Sequence, residues 1–361
     1  MCGIVCYKGK SKKLENLQNS IDRIGYRGPD NTKYEQVSDD IIFGFHRLAI
    51  MGLTESGDQP MKHPKDDTLS LICNGEIYNY KILGEKYNFE LVTGSDCEII
   101  LLLYKKIGLE KTVKELDGVF MFVLYDSTKN RIYAARDPYG VRPGFIAHDE
   151  YKNEFMIASE AKPLVGNMKN IKPFHPGSWW SSERFDMFYK FHTIGKNIDI
   201  ASDEKDICKN INELLTDAVK KRLMSDVPVG IVLSGGLDSS LVAAVAHEAA
   251  EAAGQPVPAC WTVAEDENNP DWKAAELVAS SLDLEHHQHL LESDSFHSRL
   301  PDLAWHGEDL DLTVLFFQPL FAKMSESVTV GLCGQGADEL HAGYPRYRDL
   351  PNHAMEIQNR L

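Results

Sequence analysis

The chain has 361 residues, 43% hydrophobic and 25% charged, the proportions of a soluble globular protein with room for about two domains. Its formal net charge of −16, from 38 Lys and Arg against 54 Asp and Glu, argues against nucleic acid as a partner. No apolar run nears the roughly 20 residues that span a bilayer, the first residues lack a basic-then-apolar leader, and seven cysteines without metal-ligand spacing fit free thiols, so a cytoplasmic chain with no membrane contact is expected.

Met1-Cys2-Gly3 opens the chain with a cysteine directly after the initiator. Excision of Met1 would leave Cys2 with a free α-amine of pKa roughly 7.7–8.0, a base for its own thiol. The plainer reading is a small residue on a first strand. Residues 14–24 have helical character, and Tyr26-Arg-Gly-Pro-Asp30 is a turn. Residues 41–50 alternate loosely as a strand that carries Arg47 among apolar neighbours; such an arginine wants a carboxylate, its own or a substrate's. A strand over 69–73 ends in Asn74-Gly75-Glu76. An Asn amide beside a glycine N–H can form an oxyanion hole, although Asn-Gly is also a common turn. Asp96 precedes a helix predicted over 98–107, where capping is its default role.

Cys2-Gly-Ile, Arg27-Gly-Pro-Asp30, His46-Arg-Leu-Ala-Ile50, Asn74-Gly-Glu-Ile-Tyr-Asn79, Thr93-Gly-Ser-Asp96, Ala135-Arg-Asp-Pro-Tyr-Gly-Val-Arg-Pro143 and Ala158-Ser-Glu-Ala-Lys162 occur in this order. Together they resemble class II glutamine amidotransferases, over about residues 2 to 165. The resemblance implies an α+β N-terminal-nucleophile fold with two antiparallel sheets between helices (αββα). It implies catalysis by Cys2, which attacks the glutamine amide to give a thioester, with Asn74 and Gly75 as oxyanion donors. Glutamine would be held by Arg47, Asn74, Gly75, Glu76 and Asp96, with Arg47 on its α-carboxylate and Asp96 on its α-amine.

Residues 167–206 are turn-rich and poor in pattern, so the linker is placed at about 190–207, between domains at 1–190 and 207–361. Residues 208–224 read as an amphipathic helix. The apolar run Val229-Gly-Ile-Val-Leu233 reads as a buried strand, Ser234-Gly-Gly-Leu-Asp-Ser-Ser240 as a loop, and residues 241–253 as a helix. Strand, glycine loop and helix N-terminus present bare N–H groups to an anion, and Asp238 stands where Mg²⁺ would bridge to phosphate. The absence of a Gly-Lys-Ser/Thr ending disfavours γ-phosphate transfer. Short strands at 257–263, 285–291 and 328–332 alternate with a helix that starts at 270, the pattern of an α/β doubly wound parallel sheet. Gly334-Gln-Gly-Ala-Asp-Glu339 follows the last of these strands, so Asp238 and Asp338 could share the Mg²⁺, unless Asp338 is a cap. His286, His287 and His289 lack companion ligands and read as strand or surface residues.

The heptad from Ser234 resembles the PP-loop of ATP pyrophosphatases, an adenine nucleotide alpha hydrolase-like fold whose members cleave ATP between the α and β phosphates. A class II amidotransferase followed by this loop, with Met224-Ser-Asp-Val-Pro228 and Gly336-Ala-Asp-Glu-Leu340 to Gly343-Tyr344, is similar to the glutamine-dependent asparagine synthetases. The resemblance implies ATP and Mg as cofactors and adenylation of the aspartate β-carboxylate. Ammonia released at Cys2 would pass through an internal tunnel and displace AMP. Leu233, Val263 and Gly334 would border the nucleotide, and Ser234, Gly236, Asp238 and Ser239 would hold phosphates. Gly235, Ser240, Cys333 and Gln335 would complete the ATP site. The partners are small molecules (glutamine, aspartate or another carboxylate, ATP), and a homodimer is allowed.

Two positions depart from the pattern. The family carries a glutamate, thought to be the base in amide formation, where this chain has Gln335, which accepts no proton at neutral pH. Either another group does that job or the acceptor differs. The family also continues through a helical region that supplies a phosphate-side lysine. The sequence here reads as shortened at its C-terminus, with Lys323 and Arg346 as the nearby cations. A glutaminase or a non-catalytic binding protein with a degenerate second domain stays open beside the ligase reading.

Overall fold

A computed structural model describes residues 1–193, 203–291, 298–308, 314–341, 343–344 and 355, and the chain divides into two compact units, Met1–Asn197 and Ile198–Leu361. Of the linker expected at 190–207, residues 194–202 lie outside the described ones, as does Arg346.

In the first unit, β1 (Gly3–Lys8), β2 (Asn31–Ser38), β3 (Ile41–Arg47), β8 (Phe145–Asp149), β9 (Glu154–Ala158) and β10 (Lys172–Pro173) form an antiparallel sheet in the order β10-β8-β9-β1-β3-β2. A second antiparallel sheet runs β12-β11-β7-β6-β5-β4, from β4 (Met61–His63), β5 (Asp66–Ile77), β6 (Gly118–Asp126), β7 (Arg131–Arg136), β11 (Ser178–Ser181) and β12 (Phe188–Lys190).

Strand alternation decides what each face meets. Ile4 and Cys6 of β1 and Phe43 of β3 join Ile72, Met121 and Val123 of the other sheet in one buried layer. Val5, Tyr7 and Ile42 point the opposite way, onto Leu17, Ile21 and Ile24. Those three recur at helical spacing along α1 (Leu14–Ile21) and the 3-10 turn that continues it (Asp22–Arg27). The helix predicted over 14–24 therefore tightens after Ile21 rather than running on. Against the second sheet lies α3 (Glu98–Ile107), with α2 (Tyr80–Tyr87) and α4 (Leu109–Glu115) packed on it, which gives the αββα layering. The stretch read as turn-rich holds three short strands, and Trp180 of β11 is fully buried, with Phe155 and Phe185 edge-on to its ring.

The second unit is a parallel sheet in the order β15-β14-β13-β16, from β13 (Val229–Val232), β14 (Ala259–Ala264), β15 (His286–Leu290) and β16 (Val330–Leu332). One face packs Ile231, Cys260 and Leu332 against Val219 of α5 (Glu204–Arg222), Ala243 and Ala246 of α6 (Leu237–Ala253), and Ala275 and Ala279 of α7 (Pro270–Ser281). The other face packs Val232 and Trp261 against Leu320 and Met324 of α9 (Val314–Met324); α8 spans Leu300–Gly307 and α10 Ala337–His341. Helices on both faces make the sheet doubly wound. Because β14 lies on one side of β13 and β16 on the other, the chain reverses its direction of travel there. The crevice beyond the carboxyl ends of β13 and β16 is thus a topological switch point, where such sheets bind ligands.

Candidate active sites

In the first unit, the start of β1, the end of β3 and the end of β5 converge with the loop before α3. One pocket is lined there by Cys2, Arg47, Gly75, Glu76 and Asp96, with Cys73 and Cys97 beside them. Cys2 is half-buried. Its Sγ lies 3.5 Å from the donating Leu48 N–H and 3.6 Å from the Leu48 carbonyl, so one backbone residue contacts the thiol through both its groups. Burial pushes the thiol pKa up, while the nearby α-amine and the Leu48 N–H pull it down. The α-amine, Met1's in this chain, is pushed down to about 6, by burial first and then by the charges of Arg142 and Arg27.

The backbone at Cys2 is fixed by a buried ion pair. Arg27 donates from Nε to the Cys2 carbonyl at 3.0 Å and from Nη1 to Glu160 at 2.6 Å. Glu160 also accepts from Tyr26 Oη at 2.5 Å and from Lys162. Arg27 and Glu160 both lie in sequence motifs that carry no role of their own in the sequence. The partners stand 133 residues apart in the chain, and only the fold brings them together.

Gly75 pairs with Phe120 across β5 and β6, and a Cβ on it would sit 2.4 Å from the Val119 carbonyl oxygen, so only glycine fits. Asn74 does not line the pocket, but it is 1% exposed and its Nδ2 has no hydrogen-bond partner among the described residues. A buried donor left open is costly and calls for a partner that arrives with a ligand. Asn74 and Gly75 hence remain the candidate oxyanion donors.

Arg47 already has a carboxylate of its own. It donates to Asp58 at 2.5 Å, to the Thr54 carbonyl at 2.9 Å and to the Gly52 carbonyl. Of its five donors these bonds occupy three, which leaves two for a ligand. Glu76 and Asp96 both have raised pKa values. Burial is the first cause for each, and the charge of Asp96 adds to it at Glu76. The Ile77 N–H, donated to Asp96 at 2.5 Å, and the charge of Arg142 act the other way. Arg142, to which the sequence assigned nothing, sits on a loop whose Tyr139, Val141 and Arg142 N–H groups all donate to the buried Asp137. The Arg142 Nε is buried and has no hydrogen-bond partner among the described residues.

In the second unit, the helix begins sooner than expected. Gly236 is the N-cap of α6, so Leu237 to Ser240 form its first turn and the loop shrinks to Ser234, Gly235 and Gly236. The loop is tied internally: Ser234 N donates to Ser239 Oγ at 3.2 Å, the two serine hydroxyls are 2.9 Å apart, and Ser239 Oγ contacts the Gly236 carbonyl at 3.2 Å. Gly235 has φ +76° and its Cβ would meet the Ala274 backbone at 2.4 Å, which excludes any side chain. Ser240 Oγ is buried without a hydrogen-bond partner among the described residues.

The crevice after β13 and β16 is lined by Ser234, Asp238, Ser239, Cys333, Gly334, Gln335 and Asp338. Leu233, Gly235, Gly236, Ser240 and Val263 of the expected ATP set do not line it, whereas Phe317, Glu339 and Tyr344, not foreseen, do. Glu339 and Tyr344 lay inside quoted motifs; Phe317 carried no signal. Among the described residues no group of three or more metal-ligating side chains occurs. Asp238 and Asp338, two of the three carboxylates that line the crevice with Glu339, still suit Mg²⁺, which usually takes one or two carboxylates along with phosphate oxygens. His286 bonds Thr262 Oγ1 at 2.8 Å and His287 pairs with Glu285 at 3.0 Å, so both are engaged on β15. Lys323 pairs with Glu326 at 3.0 Å.

A family profile described as a glutamine amidotransferase domain matches residues 1–210, and one described as asparagine synthase matches residues 210–359. A probable glutamine-hydrolysing asparagine synthetase of Acanthamoeba polyphaga mimivirus is 34% identical over 98% of this chain and 69% of its own length. The glutamine-hydrolysing asparagine synthetases of Gallus gallus and Homo sapiens are 35% and 34% identical, each over 100% of this chain and 70% of their own. A solved structure described as the allosteric regulatory enzyme of purine biosynthesis resembles 71% of the chain and 64% of itself, at TM-score 0.45 and 18% identity. With an amidotransferase unit followed by a synthase unit and this identity over its full length, the chain belongs to the family of glutamine-hydrolysing asparagine synthetases.

Proposed function

We propose that this protein makes asparagine from aspartate, ATP and glutamine. What carries the reading is the pairing of two pockets, a terminal-cysteine pocket lined by Cys2, Arg47, Gly75, Glu76 and Asp96 and a switch-point crevice that holds Ser234, Asp238 and Ser239. In the first, excision of Met1 would move the α-amine onto Cys2. An α-amine with an ordinary pKa of roughly 7.7–8.0, placed on the nucleophile's own residue, can take the thiol proton as sulfur attacks the glutamine amide. Asn74 Nδ2 and the Gly75 N–H would stabilise the oxyanion. Glu76 and Asp96 would hold the substrate ammonium, and the two remaining donors of Arg47 its carboxylate.

In the second, ATP supplies the activating group for the acceptor carboxylate. The free N–H groups at the start of α6, with Ser234 and Ser239, would hold its phosphates, and Asp238 and Asp338 would hold Mg²⁺. Ammonia from the first site would then displace AMP.

The test is AMP and pyrophosphate release with Mg-ATP, glutamine and aspartate against the same mixture without aspartate, beside Cys2→Ala supplied with ammonium. Aspartate-dependent pyrophosphate, with the variant active on ammonium alone, is the expected result. Glutamate release without pyrophosphate would sink the synthetase reading. A second acceptor is favoured by one observation, the presence of Gln335 in the crevice where the family pattern has a glutamate. Pyrophosphate release that answers to another carboxylate but not to aspartate would select it.

A further inference from the structure

We propose that Glu98 is the positioning residue that sets two charged groups of the glutamine pocket, Asp96 and Arg47, an inference that rests on the glutaminase half of the function above. Glu98 opens α3 and is completely buried. A carboxylate so placed needs hydrogen bonds for its charge, and it finds them by folding back on the chain that precedes the helix. Its Oε2 accepts from Val92 N at 3.0 Å, Thr93 N at 2.8 Å and Thr93 Oγ1 at 2.7 Å, and its Oε1 from Val92 N at 3.2 Å. Thr93 Oγ1 in turn accepts from Ser95 N at 3.1 Å. The turn that delivers Asp96 to the pocket is wound on this one carboxylate.

The same turn supports Arg47. Ser56 Oγ donates to the Thr93 carbonyl at 2.9 Å, and a Cβ on Gly52 would lie 2.7 Å from the Gly94 carbonyl carbon and 2.8 Å from Ser95 N. Residues 52–56 therefore rest directly on residues 93–95. They include Gly52 and Thr54, whose carbonyls accept from the Arg47 guanidinium. One line of support thus runs from Glu98 through Thr93 to both groups, the carboxylate that would meet the substrate ammonium and the seat of the arginine that would meet its carboxylate. The Cys2 thiol stands outside this line, held by the backbone of Leu48. An acidic residue at a helix start that served stability alone would change the melting temperature and leave glutamine affinity as it was.

The experiment separates binding of glutamine from attack by Cys2. Glu98→Gln keeps the size of the side chain but turns an amide NH2 toward N–H donors in place of one oxygen. It should raise the KM for glutamine about tenfold, the worth of a charged hydrogen bond, with kcat within about threefold. Alkylation of Cys2 by an electrophilic glutamine analogue, which must bind first, should slow by about the same tenfold. Alkylation by iodoacetamide, which needs none of these contacts, should keep its rate. Ser56 is exposed, so Ser56→Ala carries the test even where Glu98→Gln melts early. That variant should raise KM by about threefold at an unchanged thermal midpoint, the worth of a neutral hydrogen bond. Because both changes cut one line of support, the double variant should be no worse than Glu98→Gln alone. An unchanged KM in Ser56→Ala would overturn the proposal, and so would full additivity in the double variant. Equal slowing of the two alkylations would overturn it too, since the effect would then lie on Cys2 or on the fold at large. No glutamate release by the unaltered chain, with no reaction of its Cys2 with the analogue, overturns the glutaminase reading itself, and that control tells the two failures apart.

Discussion

Glu76 and Asp96 are two carboxylates buried together, each with a raised pKa, with Arg142 as the opposing charge. Without substrate the pair holds its charge at a cost, and a substrate ammonium would relieve it. The sign follows. As pH falls through the raised pKa values the carboxylates take up protons and lose their attraction for an ammonium, so the KM for glutamine should rise toward acid pH. Glu76→Gln should flatten that profile and raise KM by roughly 10- to 100-fold at pH 8, the worth of a charged hydrogen bond. The folded state also holds protons that the unfolded chain has released at neutral pH, so burying these charges destabilises the native state above the unfolded pKa. The same variant should accordingly raise the thermal midpoint of the free protein at pH 8 by about 2–4 °C. Unchanged KM with unchanged midpoint would refute both halves. At this scale Cys2, Arg47, Gly75, Glu76 and Asp96 were legible because each sits in a compact motif. Asp58 on Arg47 and Glu160 on Arg27 were not, since a carboxylate far along the chain gives no local sign of which arginine it will meet.

Whole elements were legible where periodicity and punctuation agreed. Helix α3 occupies 98–107 as read, three strands of the parallel sheet fall within their predicted stretches, and β14 overruns its own by one residue, Ala264. They were misread where punctuation overruled burial. Pro176 and Gly177 concealed β11, whose Trp180 is a core residue, and the polar heptad concealed the first turn of α6. That early start makes Gly235 the hinge between strand and helix, and it predicts a contrast between two glycines of one helix. Gly235→Ala forces a positive φ and places a methyl 2.4 Å from the Ala274 backbone; it should cost about 2–4 kcal/mol in denaturant melts and abolish Mg-ATP binding. Gly254, the C-cap of α6, has φ +62° with nothing within 4 Å, so Gly254→Ala should cost only about 1 kcal/mol and leave nucleotide binding intact. Equal effects of the two would show that crowding at Gly235 is not what fixes the loop.

At the scale of the molecule, each unit has buried layers of its own: in the amidotransferase unit one between its sheets, one under α1 and one between the second sheet and α3, and in the other unit one on each face of the parallel sheet. Separate cores need not melt together, and a ligand stabilises only the folded state that binds it. Calorimetry should hence resolve two unfolding transitions. An electrophilic glutamine analogue that alkylates Cys2 should shift one of them, and the shift should vanish in Cys2→Ala. A non-cleavable Mg-ATP analogue at about 100 times its Kd should stabilise the other by about 2.7 kcal/mol, and Gly235→Ala should remove that effect while the first transition stays in place. A single transition moved by either ligand would mean that the units unfold as one body, and it would join the fate of the glutaminase pocket to that of the crevice that holds Asp238 and Glu339.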